Sequence, residues 1–386
     1  MILLFLTVDI SIFRSISKRL FTSLVFCCGI ALLNGQSPTL QGSIWTGKII
    51  KHNTDIVFDT DSPTYAAELG VVWQTRGQKD WHELQDFPKF FLGIHYHDLG
   101  KDELVGEAIG LNLGMEVNLF RKSDAALLFG FGSGIAYLTR PYDRISNPEN
   151  IAIGGHWNNT VSLKLDYEHI FLRSSLLHIG LGLAHYSNGA RKLPNLGLNI
   201  PYLYIGISPY RGTYEKDYFQ RKSLSKVADK KWGFGLHTQY TRVEIRVPGG
   251  PDYPTTVAGI DGHFHPSANN RLSLGYQYEY NASIAAFGLH TGDFADDAAA
   301  RVGATRHSVT IGNEFLFGHW AVQLKVGAYF LHHNSFLLPL PFYFQLSPRY
   351  YFNYRENQPA RFFTGIHLKS HLFVAEYISW GVGVVF

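Results

Sequence analysis

Residues 108–119, "AIGLNLGMEVNL", alternate strictly between two kinds of side chain. One set is large and apolar: Ile109, Leu111, Leu113, Met115, Val117 and Leu119. The other set is small or polar and includes Gly110, Gly114 and Glu116. A period of two indicates a β-strand whose faces meet different surroundings. Large apolar residues opposite glycines and polar residues are typical of a strand that faces lipid on one side and a lumen on the other.

The same alternation recurs along most of the chain, for example at 127–137, 161–168 and 320–330. A soluble β-sandwich also alternates, but its polar face seldom collects so many glycines opposite aliphatic and aromatic residues. The sequence therefore predicts an all-β fold, a transmembrane antiparallel β-barrel of the outer-membrane type with about 12 to 16 strands. The count of candidate strands favours sixteen.

Composition agrees with an extended fold and excludes two other classes. Only 17% of residues are charged, 15% are aromatic and 38 are glycine, and helix periodicity is almost absent beyond residue 40. After the N-terminal leader no run of about 18 apolar residues occurs, so a helical membrane protein is excluded. The net charge of +3 comes from scattered basic residues, which argues against a nucleic-acid partner.

The two ends of the chain resemble targeting signals, one for secretion and one for barrel assembly. Basic Lys18 and Arg19 precede the apolar run "LFTSLVFCCGIALL", which predicts a signal peptide over residues 1–35. Cleavage as a lipoprotein is disfavoured because bulky Phe26 precedes Cys27. At the other end, an alternating strand finishes on Phe386 and resembles the signal read by the barrel-assembly machinery, a predicted partner.

The remaining chain, 36–386, is predicted to be barrel throughout. Residues 36–210 contain the candidate catalytic motif described next, and 211–386 supply additional barrel strands. The segment 211–230 is charged and does not alternate, which predicts either a periplasmic loop or a short helix.

The stretch "GLAHYSNGARKLPNLGLN", residues 182–199, places His185 and Ser187 on the apolar face at the end of a strand. A serine hydroxyl needs a base to become a nucleophile, and residues two apart on one face stand roughly 7 Å apart, a gap that these side chains can bridge. Asn188 and Gly189 supply candidate donors for an oxyanion. The outward direction suits a substrate that is itself a lipid.

"HYSNGA" followed by "PNLGLN" resembles the lipid A 3-O-deacylases, also called acyloxyacyl hydrolases. The resemblance implies an outer-membrane β-barrel of a Gram-negative bacterium that hydrolyses an ester of lipid A or lipopolysaccharide without a cofactor. It implies that His185 is the general base, Ser187 the nucleophile and Asn188 an oxyanion-hole residue.

Two departures from the family stand out. Asn199 occupies the place of the family's catalytic glutamate, and the chain continues to residue 386 although the best-known members end just after this motif. The amide oxygen of Asn199 can hold the imidazole of His185 but brings no negative charge. Asn159, with outward parity on the neighbouring strand, is a candidate for a second polar neighbour of this site.

Simpler interpretations compete with catalysis. Ser, Asn and Gly also begin ordinary loops, and a non-catalytic porin or transport barrel is the alternative function. Histidine pairs in "HYH" (95–97) and "HFH" (263–265) suggest a metal arrangement but lack a third ligand, so no metal site is predicted. Asp166, Glu168 and Lys164 are interpreted as a charge network in the lumen.

Overall fold

The fold is taken from a computed structural model that describes residues 38–172, 174–212, 218–220, 222, 231–244, 248–332, 341–352, 360–371 and 374–386. The predicted signal peptide and most of the charged segment 211–230 lie outside these residues. Within the described part, no helix has the length and apolar character needed to cross a membrane.

The described residues contain sixteen antiparallel strands, the number that the count of alternating runs favoured. In the first half they are β1 (Thr39–Lys48), β2 (Pro63–Gln74), β3 (Lys89–Lys101), β4 (Gly106–Arg121), β5 (Ala125–Leu138), β6 (Trp157–Phe171), β7 (Ser175–Ser187) and β8 (Leu198–Pro209). In the second half they are β9 (Trp232–Glu244), β10 (Asp252–Ser267), β11 (Asn270–Asn281), β12 (Thr305–Phe317), β13 (Trp320–Leu331), β14 (Phe342–Tyr351), β15 (Arg361–His371) and β16 (Val374–Val385).

Within the described residues, three short helices lie in the connections, where the sequence showed almost no helix periodicity. They are α1 (Asp80–Leu84), α2 (Ala282–Thr291) and α3 (Asp297–Gly303). The side chains of Asn281 and Asp296 accept hydrogen bonds from the first turns of α2 and α3 and so cap them. Capped helices of this length are set by local hydrogen bonds and need no long amphipathic pattern.

The prediction of a single barrel was wrong, because the strands close into two barrels of eight. In the first barrel β1 pairs with β8, from Gly42 opposite Ile207 to Gly47 opposite Tyr202. In the second, β9 pairs with β16. Alternation of side chains indicates which face of a strand meets lipid. The same alternation occurs in one wide barrel and in two narrow barrels, so it does not distinguish them. The charged segment 211–230, between β8 and β9, marks the break.

Large charged side chains fill both lumens. In the first barrel Lys89 on β3 pairs with Glu168 on β6, and Lys164 Nζ lies 2.6 Å from Glu116 Oε1. Such pairs span from wall to wall only in a narrow barrel, where the interior is just wide enough for side chains to fill. The predicted lumen network of Asp166, Glu168 and Lys164 is confirmed, since all three take part in buried or nearly buried ion pairs.

The second lumen is filled in the same way. Lys325 Nζ on β13 donates to both carboxylate oxygens of Asp261 on β10, each at 2.7 Å. Lys369 on β15 pairs with Glu279 on β11, on the opposite wall. The outer faces of both barrels expose large apolar residues, including Ile94, Leu203, Leu274 and Trp380, as a lipid-facing surface requires.

The connections divide between two rims. The upper rim carries the connections 49–62, 102–105, 139–156 and 188–197 of the first barrel and α2 and α3 of the second. The lower rim carries α1 and the short turns. There Asn269 Nδ2 donates to the Leu84 carbonyl at 2.8 Å and Gln85 Nε2 donates to the Leu316 carbonyl at 2.8 Å, so the two barrels contact each other.

Candidate active site

The candidate site lies at the upper rim of the first barrel, where β7 ends and β8 begins. β7 ends at Ser187, and the connection 188–197, here called the site loop, leads into β8. The neighbours Ala184 and Tyr186 are buried in the first barrel's core, so His185 and Ser187 face outward, as their parity predicted. Ser187 is nevertheless only 5% exposed.

His185 and Asn199 form a hydrogen-bonded pair across two neighbouring strands. They are direct partners in the β7–β8 register, and His185 Nδ1 lies 2.7 Å from Asn199 Oδ1. An amide oxygen only accepts, so the imidazole proton resides on Nδ1 and Nε2 is left as the basic nitrogen. This is the contact that the outward parity of Asn199 predicted.

The hydroxyl of Ser187 is held by two donors from the site loop. Asn195 Nδ2 donates to Ser187 Oγ at 2.8 Å, and the backbone N–H of Gly189 donates to the same oxygen at 3.2 Å. Sequence reasoning gave Asn195 no role although it lies within "PNLGLN". A loop has no periodic face, and the only signal was an amide residue close to the serine along the chain.

Asn188 is engaged within the site loop. Its side-chain Nδ2 donates to the Lys192 carbonyl at 2.9 Å, its Oδ1 accepts from Lys192 N–H at 3.1 Å, and its own N–H donates to Asn195 Oδ1 at 3.0 Å. These bonds close the loop into a compact turn beside Ser187. That Asn188 and Gly189 donate to an oxyanion stays a prediction.

Among the described residues no hydrogen bond joins His185 to Ser187. Catalytic hydrogen bonds are often long or misaligned before substrate arrives. Asn159 lies directly opposite Ser187 in the β6–β7 register, as its parity suggested, and adds a polar neighbour on the other side of the serine.

The imidazole of His185 is also enclosed by the end of the site loop. Gly197 adopts a positive φ of 79°, and a Cβ added there would lie 2.8 Å from His185 Cε1. His52 Nε2 donates to the neighbouring Leu196 carbonyl at 2.9 Å, while the N–H of Gly197 donates to the Ala152 carbonyl at 2.9 Å. Two upper-rim connections of the first barrel therefore fix the loop around the imidazole.

A second serine–histidine array lies inside the first lumen near the lower rim, and the sequence did not reveal it. His178 Nδ1 lies 2.8 Å from Asp166 Oδ2, and His178 Nε2 lies 2.9 Å from Ser208 Oγ. All three residues are buried. The array is the competing catalytic candidate. Against it, the strand backbone beside Ser208 forms β-ladder bonds with β7, which occupy the N–H groups that an oxyanion would need.

Asp166, Glu168 and His178 also present ligand atoms within 4.8 Å of one another, a spacing that a metal ion can use. The ammonium of Lys89 already pairs with Glu168. The histidines of "HYH" form no cluster of three ligands with acidic residues in the described part of the chain. Instead, His95 Nε2 and His97 Nδ1 lie 3.1 and 3.0 Å from the hydroxyl of Tyr186.

Comparison with known families follows the division into two barrels. Residues 65–208 match the family of lipid A 3-O-deacylases, PagL, and residues 229–386 match the acyloxyacyl hydrolase C-terminal domain. The first barrel is thus similar to the lipid A 3-O-deacylases, and the second barrel is similar to the C-terminal domain of the acyloxyacyl hydrolases. The resemblance inferred from "HYSNGA" and "PNLGLN" is therefore confirmed. No curated protein matches the chain.

Two solved structures are similar to parts of the chain. Neisserial surface protein A is 9% identical with a TM-score of 0.32, and the match covers 45% of this chain and 98% of that one. The outer membrane enzyme PagL is 14% identical with a TM-score of 0.29, and the match covers 43% of this chain and 97% of that one.

The match of residues 65–208 to the lipid A 3-O-deacylases and the apolar outer faces of both barrels indicate the same location. A lipid A deacylase acts where lipid A is found, and exposed residues such as Ile44, Leu69 and Ile311 form surfaces suited to the bilayer. The chain forms a pair of β-barrels of the Gram-negative outer membrane.

Proposed function

We propose that the chain is a serine esterase that removes an ester-linked 3-hydroxyacyl chain from lipid A or a related glycolipid. The observation that carries the proposal is the His185–Asn199 pair, which leaves Nε2 of the imidazole basic on the same outward face as Ser187. A base oriented by a third residue beside a serine is the arrangement that hydroxyl nucleophiles require.

The reaction begins when the Ser187 hydroxyl turns about its Cα–Cβ bond from Asn195 toward His185. Nε2 takes the proton while Oγ attacks the ester carbonyl carbon. The tetrahedral intermediate collapses, the sugar oxygen leaves, and it takes the proton from the imidazolium. Water then attacks the acyl-enzyme with His185 again as the base, which releases the fatty acid and restores the hydroxyl of Ser187.

The donors that hold Ser187 Oγ also suit the developing oxyanion. In the attacked ester the carbonyl oxygen lies next to Oγ, within reach of Asn195 Nδ2 and the N–H of Gly189. Removal of one oxyanion donor costs about 10²- to 10³-fold in turnover in serine hydrolases. Asn195 therefore joins Gly189 as a proposed donor, and Asn188 supports both through the closed loop.

The alternative, a porin or transport barrel, needs an open lumen. Ion pairs between distant strands, such as Lys325 with Asp261 and Lys369 with Glu279, fill the interior of the second barrel with side chains. This packing favours the esterase. Recognition by the barrel-assembly machinery through Phe386, whose ring stacks on Phe234 with centroids 4.7 Å apart, is a further part of the proposal.

Incubation of the folded protein with lipid A in detergent, followed by mass spectrometry, tests the esterase. The wild type is expected to release one hydroxyacyl chain, and Ser187→Ala is expected to release none. Ser208→Ala is the matched control, because it removes the hydroxyl of the competing array and leaves the site loop intact. Loss of activity in Ser208→Ala but not in Ser187→Ala would move the site to the lumen. No release by folded wild type from any glycolipid offered would refute the function.

A further inference from the structure

The second barrel reaches the site loop of the first barrel through the end of β9. The carboxylate of Glu244, the last residue of β9, accepts from the Leu193 N–H at 2.5 Å and from Lys192 Nζ at 3.1 Å. The backbone N–H of Glu244 donates to the Ala190 carbonyl at 3.2 Å. One residue of the second barrel thus bonds three residues of the loop that carries the proposed oxyanion donors, namely Ala190, Lys192 and Leu193.

Further contacts tie the same loop to the second barrel. Arg191 Nη1 donates to the Arg242 carbonyl at 3.2 Å and lies 2.9 Å from Asp252 Oδ2. Ile378 on β16 packs against Gly189, where an added Cβ would lie 2.6 Å from Ile378 Cγ1. Gly189, whose N–H donates to Ser187, is therefore in direct contact with the second barrel.

The Glu244 side chain is fully buried, whereas its partner Lys192 is half exposed. A buried carboxylate that loses its donors is costly, so the loop backbone and Glu244 hold each other in place. From Glu244 the bonds continue through Lys192 to Asn188, whose N–H bonds Asn195, which in turn bonds Ser187 Oγ. A continuous hydrogen-bonded chain links the second barrel to the proposed nucleophile.

We infer that the second barrel is a working part of the proposed active site, and that Glu244 is a positioning residue that holds the site loop for Ser187. The inference rests on the proposed function. The residues beyond the deacylase-like barrel thereby gain a role, because they bond the site loop from the second barrel. Within the first barrel, Ile151, Ala152 and His52 bond the same loop.

Because Glu244 positions the nucleophile and touches no substrate, its loss is expected to lower kcat and leave KM nearly unchanged. We expect Glu244→Ala to reduce kcat by about tenfold to a hundredfold, the range that follows when a reacting group is misplaced by about 1 Å. Glu244→Gln keeps an oxygen that accepts from Leu193 and is expected to retain most of the turnover. Asp297→Ala, on α3 at the same rim, removes a carboxylate that does not bond the loop and is the matched control.

Hydrogen exchange of the amides in 188–197 provides a second readout that does not depend on deacylation. Glu244→Ala is expected to speed this exchange, and Glu244→Gln and Asp297→Ala are expected to leave it close to the wild type. All variants are compared as folded barrels, checked by heat-dependent gel migration.

The inference requires both readouts to change together in Glu244→Ala. Faster exchange with an unchanged kcat would show that Glu244 holds the site loop without affecting catalysis. Unchanged exchange would show that Glu244 does not hold the loop. Either result overturns the inference. Failure of the proposed function is a separate result, because the wild type and Ser187→Ala would then be equally inactive on lipid A.

Discussion

In the proposed mechanism Asn199 is the residue that orients the imidazole of His185, and it does so with an amide. Its Oδ1 lies 2.7 Å from His185 Nδ1 and accepts a hydrogen bond from that nitrogen, which is the orienting half of a carboxylate's task. The other half, stabilisation of the imidazolium that forms during attack, needs a negative charge. In serine proteases, exchange of the carboxylate for an amide costs about 10⁴-fold in turnover, with the wrong tautomer as a large part of that loss.

The first prediction concerns this missing charge. Asn199→Asp places a carboxylate of the same size opposite His185 and is expected to raise kcat by at least about tenfold, because it stabilises the imidazolium in the transition state. Asn199→Leu, which has the same branching at Cγ but no acceptor, is expected to lower kcat by about tenfold to a hundredfold. Initial rates of hydroxyacyl release measure both. Wild-type turnover in Asn199→Leu would show that Asn199 does not orient the imidazole.

This pair also shows what a single sequence can predict at the scale of residues. The parity of β7 and β8 placed His185, Ser187 and Asn199 on one face, and the structure pairs two of them. The contact of Asn195 with Ser187 was not predicted, because the position of Asn195 depends on the fold of the loop and not on strand periodicity. Asp166, His178 and Ser208 were on lumen-facing positions of three neighbouring strands, but their hydrogen bonds required the exact register of β6, β7 and β8.

At the scale of elements, the site loop must satisfy several geometric requirements at once. It returns the chain from β7 to β8 while it bonds Ser187 through Asn195 and Gly189 and packs against the imidazole through Gly197. At Gly197 two constraints coincide, a positive φ and a close approach to His185. Glycine alone satisfies both without strain.

The second prediction separates these two constraints. Gly197→Ala is expected to displace the imidazole and lower kcat by about a hundredfold, because its Cβ would meet His185 Cε1 at 2.8 Å. Gly292→Ala is the matched control: Gly292 has the same φ of 79° but no atom within 4 Å of an added Cβ. Both variants bear a similar backbone strain of about 1–2 kcal/mol. Equal activity of the two variants would show that the contact with His185 is unimportant.

At the scale of the whole molecule, the sequence predicted the strands and their faces but not their closure. Whether the strands close into one barrel or two depends on which strands pair with β1 and β16. The alternation of side chains does not indicate which strands pair. A physical hint was present in the lumen-facing positions, which carry Arg271, Arg306, Lys325 and Arg349. Side chains of this length find buried partners in a narrow barrel, whereas a barrel of sixteen strands leaves an aqueous channel between its walls.

The third prediction follows from the filled lumens. Folded wild-type protein inserted into planar bilayers is expected to give no stepwise conductance, because ion pairs such as Lys325 with Asp261 occupy the barrel interior. A porin of sixteen strands serves as the positive control under the same conditions. Reproducible ohmic steps from the purified protein would favour the transport alternative.

The central claim is that Ser187, and not the buried Ser208, is the nucleophile. The most direct measurement is covalent labelling of the folded protein with a long-chain alkyl phosphonate, followed by digestion and mass spectrometry of the peptides. The proposed mechanism predicts one adduct, on the peptide that contains Ser187, with labelling lost in Ser187→Ala and His185→Ala and retained in Ser208→Ala. An adduct on Ser208, or labelling that survives in Ser187→Ala, would contradict it.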